Sequence, residues 1–319
     1  MRRRPTGDLK SSQRTVFCPP PGGDPAASLY THMLIEDTSV DIIPIPGYTS
    51  RAFEISLQPQ DAAAESLIVA GLSRANGSYR DELASVAYDF LKECTWILMG
   101  SGEAAYEIAY LSERATARDV GFELVRVQSG TYRWHRGSLV QVVPEDVAES
   151  RGIPREIRVE ADQALHFEIP GGMKRRYLDM IESLEFIDKN PFPRFALDRG
   201  AAGLGTPFDS SLLIRTQKMA LADATRLVGW NARGTWQEDT LDYYWVWREL
   251  AFELFKAELR NLVLLKLNEG LTVAGHRLGF SSRLEIKGLP SVQDVEQARK
   301  HLANGDLPFG EILKPFRFL

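Results

Sequence analysis

Apolar residues are densest in one long stretch, residues 236–269. The stretch contains no Pro or Gly, and its apolar residues recur at steps of three and four, which is the spacing of one helical face. Further apolar residues cover most of the remaining circumference, so the pattern predicts a single long helix buried on several sides. Its predicted start is a capping box at Thr235 and Glu238, with Thr240 as a second possible start, and its predicted end is Gly270.

Five other segments repeat their apolar residues at helical spacing; they cover residues 61–74, 78–99, 174–189, 211–228 and 292–303. Between residues 104 and 170 the period instead falls close to two, which is typical of strands. The predicted strands cover residues 106–110, 122–127, 139–143, 156–159, 165–169 and, further along, 283–286. Because strands follow one another without intervening helices, the sequence predicts a largely antiparallel sheet in a mainly helical α+β fold.

Composition narrows the class of protein. A length of 319 residues favours about two domains, and a hydrophobic content of 44% is enough for a sizeable core. The net charge of −5 gives no overall basic signature, so any contact with nucleic acid must be local or built by assembly of copies. The two cysteines, Cys18 and Cys94, do not suggest a disulfide framework. No apolar run reaches the length of a membrane span, and the basic residues 1–5 lack the apolar core of a signal peptide, so we expect a cytoplasmic protein.

Residues 1–28 are predicted to form an extended N-terminal arm. The run from Pro19 to Gly23 cannot be helical and does not suit a central strand. Two interpretations stay open: the arm lies on a neighbouring subunit, or it is a disordered tail.

Signals for catalysis are few. The five histidines are scattered, and none stands at a metal-ligand spacing from Cys or another His, so each is interpreted as structural or exposed. The sequence also lacks a nucleophile elbow and a Walker A motif. We therefore predict no catalytic residue, no metal, no cofactor and no enzymatic activity.

One pattern supports an alternative. Residues from Gly100 to Ala105 read G-x-G-x-x-A after an apolar run. In a dinucleotide-binding enzyme such glycines let the backbone approach the pyrophosphate of NAD or FAD at a helix N-terminus. The other interpretation is that these glycines end a helix and start a strand.

Two of the predicted helices carry charge outside their apolar faces. On the helix 211–228 the apolar side comprises Leu213, Ala220, Ala224, Leu227 and Val228. On its opposite side lie Arg215, Lys218 and Arg226. The helix 174–189 carries Asp179, Glu182 and Glu185 outside its own apolar face.

The order of the elements resembles that of portal proteins of tailed bacteriophages. In that family a wing leads to a stem helix, a clip, a second stem helix, a tunnel loop and a long helix that returns to the wing. The segments that carry the resemblance are residues 83–110 with MGSGEAAYEI, residues 140–144, residues 165–167, and the tail with residues 302–305 and Glu311.

The resemblance implies a division into an N-terminal arm 1–28, a wing 29–172, a first stem helix 173–190, a short clip-like connector 191–210, a second stem helix 211–228, a tunnel loop 229–239, and a long helix with a returning wing or crown segment 240–319. It also implies a structural virion protein at a capsid vertex, assembled in the host cytoplasm. The expected partners are further copies in a ring, usually of twelve, double-stranded DNA, the terminase motor, the major capsid protein and a head–tail adaptor.

The resemblance assigns roles to residues of this chain. The tunnel loop residues Trp230, Asn231, Arg233 and Gln237 would lie near DNA at the narrowest point of the channel. The stem residues Arg215, Lys218 and Arg226 would pair with Asp179, Glu182 or Glu185 of an adjacent helix, or face DNA phosphates without reading sequence. The apolar long helix would be covered partly by neighbouring subunits. Another virion scaffold or adaptor protein remains an alternative.

Overall fold

The computed structural model describes residues 9–18, 28–46, 53–75, 81–114, 116–189, 210–234 and 241–317. The chain divides into two compact units. Unit 1 comprises residues 1–25, 42–168 and 260–289, and unit 2 comprises residues 26–41, 169–259 and 290–319. Of the predicted wing, residues 42–168 group in unit 1, whereas residues 29–41 group with the predicted stem helices; residues 260–289 group with the strands.

Unit 1 contains the strands of the described residues: β1 Leu9–Ser11, β2 Glu54–Gln58, β3 Glu103–Glu113, β4 Asp119–Val127, β5 Tyr132–His135, β6 Ser138–Val142, β7 Glu156–Val159, β8 Ala164–Glu168 and β9 Arg283–Lys287. All their pairings are antiparallel, as predicted. In the largest sheet β4 pairs along one edge of β3, while β8 and β1 pair with opposite ends of the other edge. A second sheet has the order β5-β6-β7, and β2 pairs with β9.

The predicted strands correspond to β3, β4, β6, β7, β8 and β9 and are confirmed. Sequence reasoning missed β1, β2 and β5. Each of these is short and has at most two buried residues, so its apolar alternation is weak.

Among the described residues, three helices lie wholly in unit 1: α2 Ala62–Ala75, α3 Leu83–Ser101 and α4 Glu145–Arg151. The predicted apolar stripe of α3 is buried. Its Phe90 ring lies 5.3 Å from the Tyr106 ring and 6.2 Å from the Phe167 ring, which centres part of the core on β3 and β8. α3 ends at Gly102, which has a φ of 76° and whose N–H donates to the Leu98 carbonyl oxygen. Glycine suits this left-handed position because it has no Cβ to clash.

Unit 2 is helical in its described residues, with α1 Leu29–Val40, α5 Gly171–Lys189, α6 Ser210–Ala224, α8 Val292–Asn304 and the short α9 Phe309–Leu313. α5 and α6 confirm the helices predicted at the two stem positions, but α6 ends at Ala224 and not at the predicted Val228. Ser291 caps α8 in a capping box with Asp294. The predicted clip 191–210 lies outside the described residues except for Ser210. None of the helices in the described part of the chain is long and apolar enough to cross a membrane.

Helix α1 was not predicted. Its buried residues include Leu34 and Ile35 but also Thr31, Thr38 and Ser39. Because polar side chains share the inner face, the apolar repeat that would reveal this helix is interrupted.

The predicted long helix is α7, Asp242–Leu278. Its residues up to 259 belong to unit 2, and those from 260 belong to unit 1. Gly270 does not end it, which corrects the prediction. A Cβ at Gly270 would lie 2.6 Å from the Leu165 side chain, so this glycine allows close packing inside the helix. The capping residues predicted at 235–240 lie outside the described residues.

The apolar surface of α7 is largely enclosed by the single chain. Its buried residues include Val246, Leu250, Leu259, Val263 and Leu267, each at most 3% exposed. Of its large apolar side chains only Tyr243 and Leu265 are exposed. The chain thus supplies most of the cover of this helix, so its apolar surface does not require neighbouring subunits.

The described part of the arm, residues 9–18, is extended, as predicted. However, Leu9–Ser11 pair with β3 of the same chain. For this part both open interpretations, a neighbouring subunit or a disordered tail, are wrong.

Candidate functional site

The predicted tunnel loop begins at a tight corner between α6 and α7. Gly229 has a φ of 73°, and a Cβ there would lie 2.4 Å from the carbonyl oxygen of Arg248. Ala232 and Arg233 also have positive φ, 44° and 57°. The backbone of the corner therefore lies directly against α7, where only glycine fits at position 229.

Arg248 joins this corner to the end of α6. Its side chain is buried, and it donates hydrogen bonds to Asn231 Oδ1 at 2.9 Å and to Thr225 Oγ1 at 2.7 Å. It also donates to the carbonyl oxygens of Ala222 and Trp230. A buried guanidinium needs such partners, since leaving it unsatisfied would be strongly destabilising.

Trp230 and Asn231 are buried in unit 2, 1% and 7% exposed. Trp230 Nε1 donates to Asp37 Oδ2 at 2.8 Å, and Asn231 Nδ2 donates to Glu249 Oε1 at 2.7 Å. Their polar atoms are therefore used inside the subunit, which corrects the expected placement of these side chains on a channel surface. Gln237 lies outside the described residues.

Arg233 is exposed, but its charge is balanced within unit 2. Its guanidinium contacts Glu36 at 2.6 Å and Asp37 at 2.7 Å. The hydrogen bonds that Arg233 donates to Asp37 and then to Glu36 raise the pKa of Arg233 above its already high ordinary value. A guanidinium held by two carboxylates is a poor ligand for phosphate, so the predicted approach of Arg233 to DNA gains no support from this geometry.

A second buried charge lies further along α7. Lys256 Nζ is 2.7 Å from Glu253 and 4.9 Å from the centre of the Phe252 ring. Burial alone would lower the pKa of Lys256, but Glu253 and Asp41 outweigh it and raise that pKa. Burial raises the pKa of Asp41 and of Glu249, although Lys256 opposes the rise at Asp41 and a hydrogen bond from Asn231 opposes it at Glu249. This network holds elements together and contains no nucleophile with an adjacent base.

Sequence reasoning missed Arg248, Lys256 and their partners. A signal was present, because Arg248 and Lys256 each stand four residues from Phe252 on an otherwise apolar helix face. A charge on such a face is buried with partners more often than it is left alone.

The predicted stem helices form a helical hairpin, α5 and α6, which we call the stem hairpin. Tyr177, Met180 and Leu184 of α5 are buried, as is Leu221 of α6. Tyr177 stacks on Phe255 of α7 with ring centres 6.5 Å apart. One face of the stem hairpin is thus packed inside unit 2.

The outward surface of the stem hairpin carries charges of both signs. Asp179 and Glu182 are exposed on α5, Arg215 is exposed on α6, and Arg226 is exposed in the turn just after α6. Within the described residues none of these four side chains takes part in an ion pair. The predicted pairing between stem charges is therefore not made inside the subunit by these residues. The remaining two differ: Glu185 pairs with Lys189 at 3.3 Å, and Lys218 is half-buried.

Large apolar side chains accompany these charges. Those exposed on the stem hairpin are Leu178 and Phe186 of α5, Ile214 and Met219 of α6, and Leu227 just after it. A groove of about 540 Å³ runs between the two helices and is lined by Glu182, Ser183, Phe186, Ile187, Ala220, Asp223 and Ala224. Contiguous apolar surface rimmed by charge is typical of a protein–protein contact.

The Gly100–Ala105 segment does not have the geometry of a dinucleotide site. A helix, α3, precedes Gly102 and a strand, β3, follows it. The cofactor site needs the reverse order, a strand followed by the N-terminus of a helix. The structure thus removes the basis of that alternative and confirms that the glycines end a helix before a strand.

The side chains that could bind a metal do not cluster in the described part of the chain. No group of three or more His, Cys, Asp or Glu residues that could hold a metal occurs in the described ranges. His166 contacts Glu103 at 3.3 Å and stacks on Trp134, and His301 contacts Asp306 at 2.9 Å.

Comparison with family models gives no match to this chain, and a search of curated proteins gives none either. The stem hairpin and the corner at Gly229 are therefore the features from which a function has to be inferred.

Proposed function

We propose that the chain is a structural subunit that assembles with copies of itself through the stem hairpin into a ring. The ring would be the portal of a tailed bacteriophage, the opening in a capsid vertex through which double-stranded DNA is packaged and ejected. Its partners would be the terminase motor, the major capsid protein and a head–tail adaptor.

The observation that carries the proposal is the surface of the stem hairpin. Asp179 and Glu182 on α5, Arg215 on α6 and Arg226 just after α6 are all exposed, and none of the four forms an ion pair among the described residues. Identical subunits placed side by side around an axis bring two different faces together, and a ring forms when the rotation closes. Opposite charges on those faces favour that head-to-tail arrangement.

Apolar side chains would supply most of the affinity. An exposed ion pair contributes only about 0.2–1 kcal/mol. Burying an exposed side chain of the size of Phe or Met contributes about 1.5–3 kcal/mol. Phe186 and Met219 are 67% and 60% exposed, so covering them contributes more than the ion pairs do, while the charges fix the register between subunits.

The order of elements gives further support. A unit rich in strands is followed by the stem hairpin, by the sharp corner at Gly229, and by a long helix whose second half belongs to unit 1 again. This is the succession on which the resemblance to portal proteins rests. The long helix itself adds no support for a ring, because its own chain encloses it.

Contacts with DNA would be made by the basic side chains that stay exposed in the ring. A few per subunit suffice, since assembly repeats them around the channel. Such contacts address phosphates, so they carry no sequence preference and weaken steeply with salt.

The proposal is tested by the mass and shape of the purified protein. We expect ring-shaped particles with an axial channel wide enough for duplex DNA in negative-stain micrographs. The double variant Asp179→Lys with Glu182→Lys places like charges at the contact and should shift the mass toward the single subunit. Adding Arg215→Glu and Arg226→Glu to it restores the opposite signs and should restore the rings.

The matched control is Glu145→Lys with Glu156→Lys. These carboxylates are as exposed, at 62% and 59%, but lie in unit 1. The control should leave the rings intact. A protein that stays monomeric or dimeric at all concentrations would refute the proposal, and rings without a channel wide enough for DNA would favour an adaptor.

A further inference from the structure

Residues 9–18, which we call the arm segment, lie extended across unit 1. The first part is β1, added to the edge of β3. Ser12 continues this contact, since its N–H donates to the Tyr110 carbonyl oxygen at 2.8 Å and its Oγ accepts from the Tyr110 N–H at 2.8 Å. The arm segment thus begins as an added edge strand, a common mode of peptide recognition.

Beyond Ser12 the arm segment is held by two buried side chains instead of a strand. Glu107 of β3 accepts three hydrogen bonds, from the Arg14 N–H at 2.8 Å, the Thr15 N–H at 2.8 Å and the Thr15 hydroxyl at 2.6 Å. Gln141 of β6 accepts from the Val16 N–H at 2.9 Å and donates to the Val16 carbonyl oxygen at 2.7 Å. The amide of Gln141 therefore pairs with one residue as a neighbouring strand would.

These two side chains serve the arm segment alone. Glu107 is 1% exposed and Gln141 is not exposed at all. Within the described residues, every side-chain hydrogen bond of Glu107 and of Gln141 goes to the arm segment, including a contact from Gln141 Nε2 to Cys18 Sγ at 3.6 Å. Without the arm segment a carboxylate and an amide would lose all these partners, which is costly for buried groups.

The side chains of the arm segment differ in how far they are buried. Thr15 is 2% exposed and Cys18 is fully buried. Val16 packs on the cluster of Val143, Ala148 and Ile157. Phe17, in contrast, is 70% exposed. Unit 1 therefore contacts the side chains of Thr15, Val16 and Cys18, whereas the side chain of Phe17 is left in solvent.

From these contacts we propose that Glu107, Gln141 and the part of the β3 edge that β8 leaves open form a peptide-recognition site whose ligand is the chain's own arm segment. Its specificity is for an extended peptide with a hydroxyl residue, a small branched apolar residue and a small buried residue at the positions of Thr15, Val16 and Cys18. The arm segment binds there without needing its covalent link to the rest of the chain. This inference rests on unit 1 and not on the proposed function.

The test uses the full chain with a site-specific protease sequence inserted between Gly22 and Gly23. After cleavage we expect the N-terminal fragment to stay bound during gel filtration and to be displaced by excess synthetic peptide of residues 9–18. A fluorescent copy of that peptide should bind the cleaved protein, as measured by anisotropy. It should not bind the uncleaved protein, whose own arm segment occupies the site.

Variants of the peptide test the specificity without changing the protein. Thr15→Val in the peptide should weaken binding about threefold to tenfold, because one hydroxyl hydrogen bond is lost. Phe17→Ala should leave binding unchanged. In the protein, Glu107→Gln should weaken binding about tenfold, and Glu156→Gln, on an exposed carboxylate away from the site, should not.

Three results would overturn the inference. The first is a folded, cleaved protein that ignores the labelled peptide or binds a scrambled one equally well. The second is loss of the native circular dichroism spectrum when the fragment leaves, which would make the arm segment part of the core. The third is equal binding of the Thr15→Val and unchanged peptides.

Discussion

Single buried charges decide how unit 2 is held together. Arg248 and Lys256 lie inside a helix face that otherwise carries aromatic side chains, and each has partners that come from elsewhere in the chain. Asp37 in α1 and Asp41 at the C-terminal end of α1 contribute to the same network around the corner at Gly229. The positions of the two cations are visible in the sequence, but their partners are not. Arg248 bonds to residues between Ala222 and Asn231, and Lys256 is influenced by Asp41, which lies at the C-terminal end of α1 and far away in the chain.

The network has a consequence for pH at the residue scale. Burial raises the pKa of Asp41 above its ordinary value of 3.8, although Lys256 opposes the rise. The folded state therefore binds this proton more tightly than the unfolded state does. The free energy of unfolding should fall as the pH rises from the ordinary carboxyl range through the raised pKa. Asp41→Asn should flatten that fall, measured by urea unfolding between about pH 4 and pH 7.

Asp294 provides a control of opposite sign. Hydrogen bonds from Ser291 lower its pKa below 3.8, so its contribution is present above the ordinary carboxyl pKa and is lost as the pH falls through the lowered value. Asp294→Asn should therefore reduce stability at neutral pH and leave the slope above about pH 5 unchanged. An Asp41→Asn profile parallel to that of the unchanged protein would contradict the expected role of Asp41.

At the scale of elements, one glycine shows how close packing overrides a local signal. Gly270 is predicted to end the long helix, yet α7 continues to Leu278. A glycine is the sequence signal for a C-terminal cap, but it is also the residue that allows a helix to pack closely on a strand. Only the neighbouring Leu165 of β8, with side-chain atoms 2.6 Å from a Cβ built at Gly270, distinguishes them.

Gly270→Ala tests this contact. Alanine would gain about 1 kcal/mol of helix propensity, but overpacking against Leu165 costs about 1–3 kcal/mol. We expect a net loss in the free energy of unfolding, measured by urea denaturation.

In a Leu165→Ala background the space is open, so Gly270→Ala should become stabilising through helix propensity alone. A loss of the same size in both backgrounds would show that the contact with Leu165 is not the cause.

At the scale of the whole molecule, the question is which surface would mediate the proposed assembly. The length and apolar character of α7 suggest that neighbouring subunits cover it, but its own chain encloses most of it. The stem hairpin has exposed apolar side chains and charges of both signs that form no ion pair among the described residues, so it is the surface that an assembly would bury.

Substitutions at two apolar side chains of similar size distinguish a subunit contact on the stem hairpin from one on α7. Met219 on the stem hairpin and Leu265 on α7 are each 60% exposed. Met219→Gln should lower the particle mass in mass photometry at low protein concentration, because it removes apolar area from the proposed contact. Leu265→Gln should leave the mass unchanged. The opposite result would place the contact on α7.

Local sequence patterns were sufficient to predict those elements whose signal comes from residues close together in the chain. The helical stripes of α3, α5 and α7 and the alternation in β3 and β4 follow from apolar spacing, and the turn at Gly102 follows from the backbone freedom of glycine. The cap at Ser291 follows from a side chain that bonds within its own turn. The sequence thus determined the α+β class, the antiparallel pairing and most element positions.

Contacts between distant segments required the tertiary structure. The enclosure of α7, the partners of Arg248, and the capture of Thr15 and Val16 by Glu107 and Gln141 each join residues far apart in the chain. No periodic pattern encodes such pairs, because each residue's own neighbours in sequence are the same whether or not the partner is near. Burial of Trp230 and Asn231 belongs to this group, since a polar loop sequence does not reveal which of its side chains turn inward.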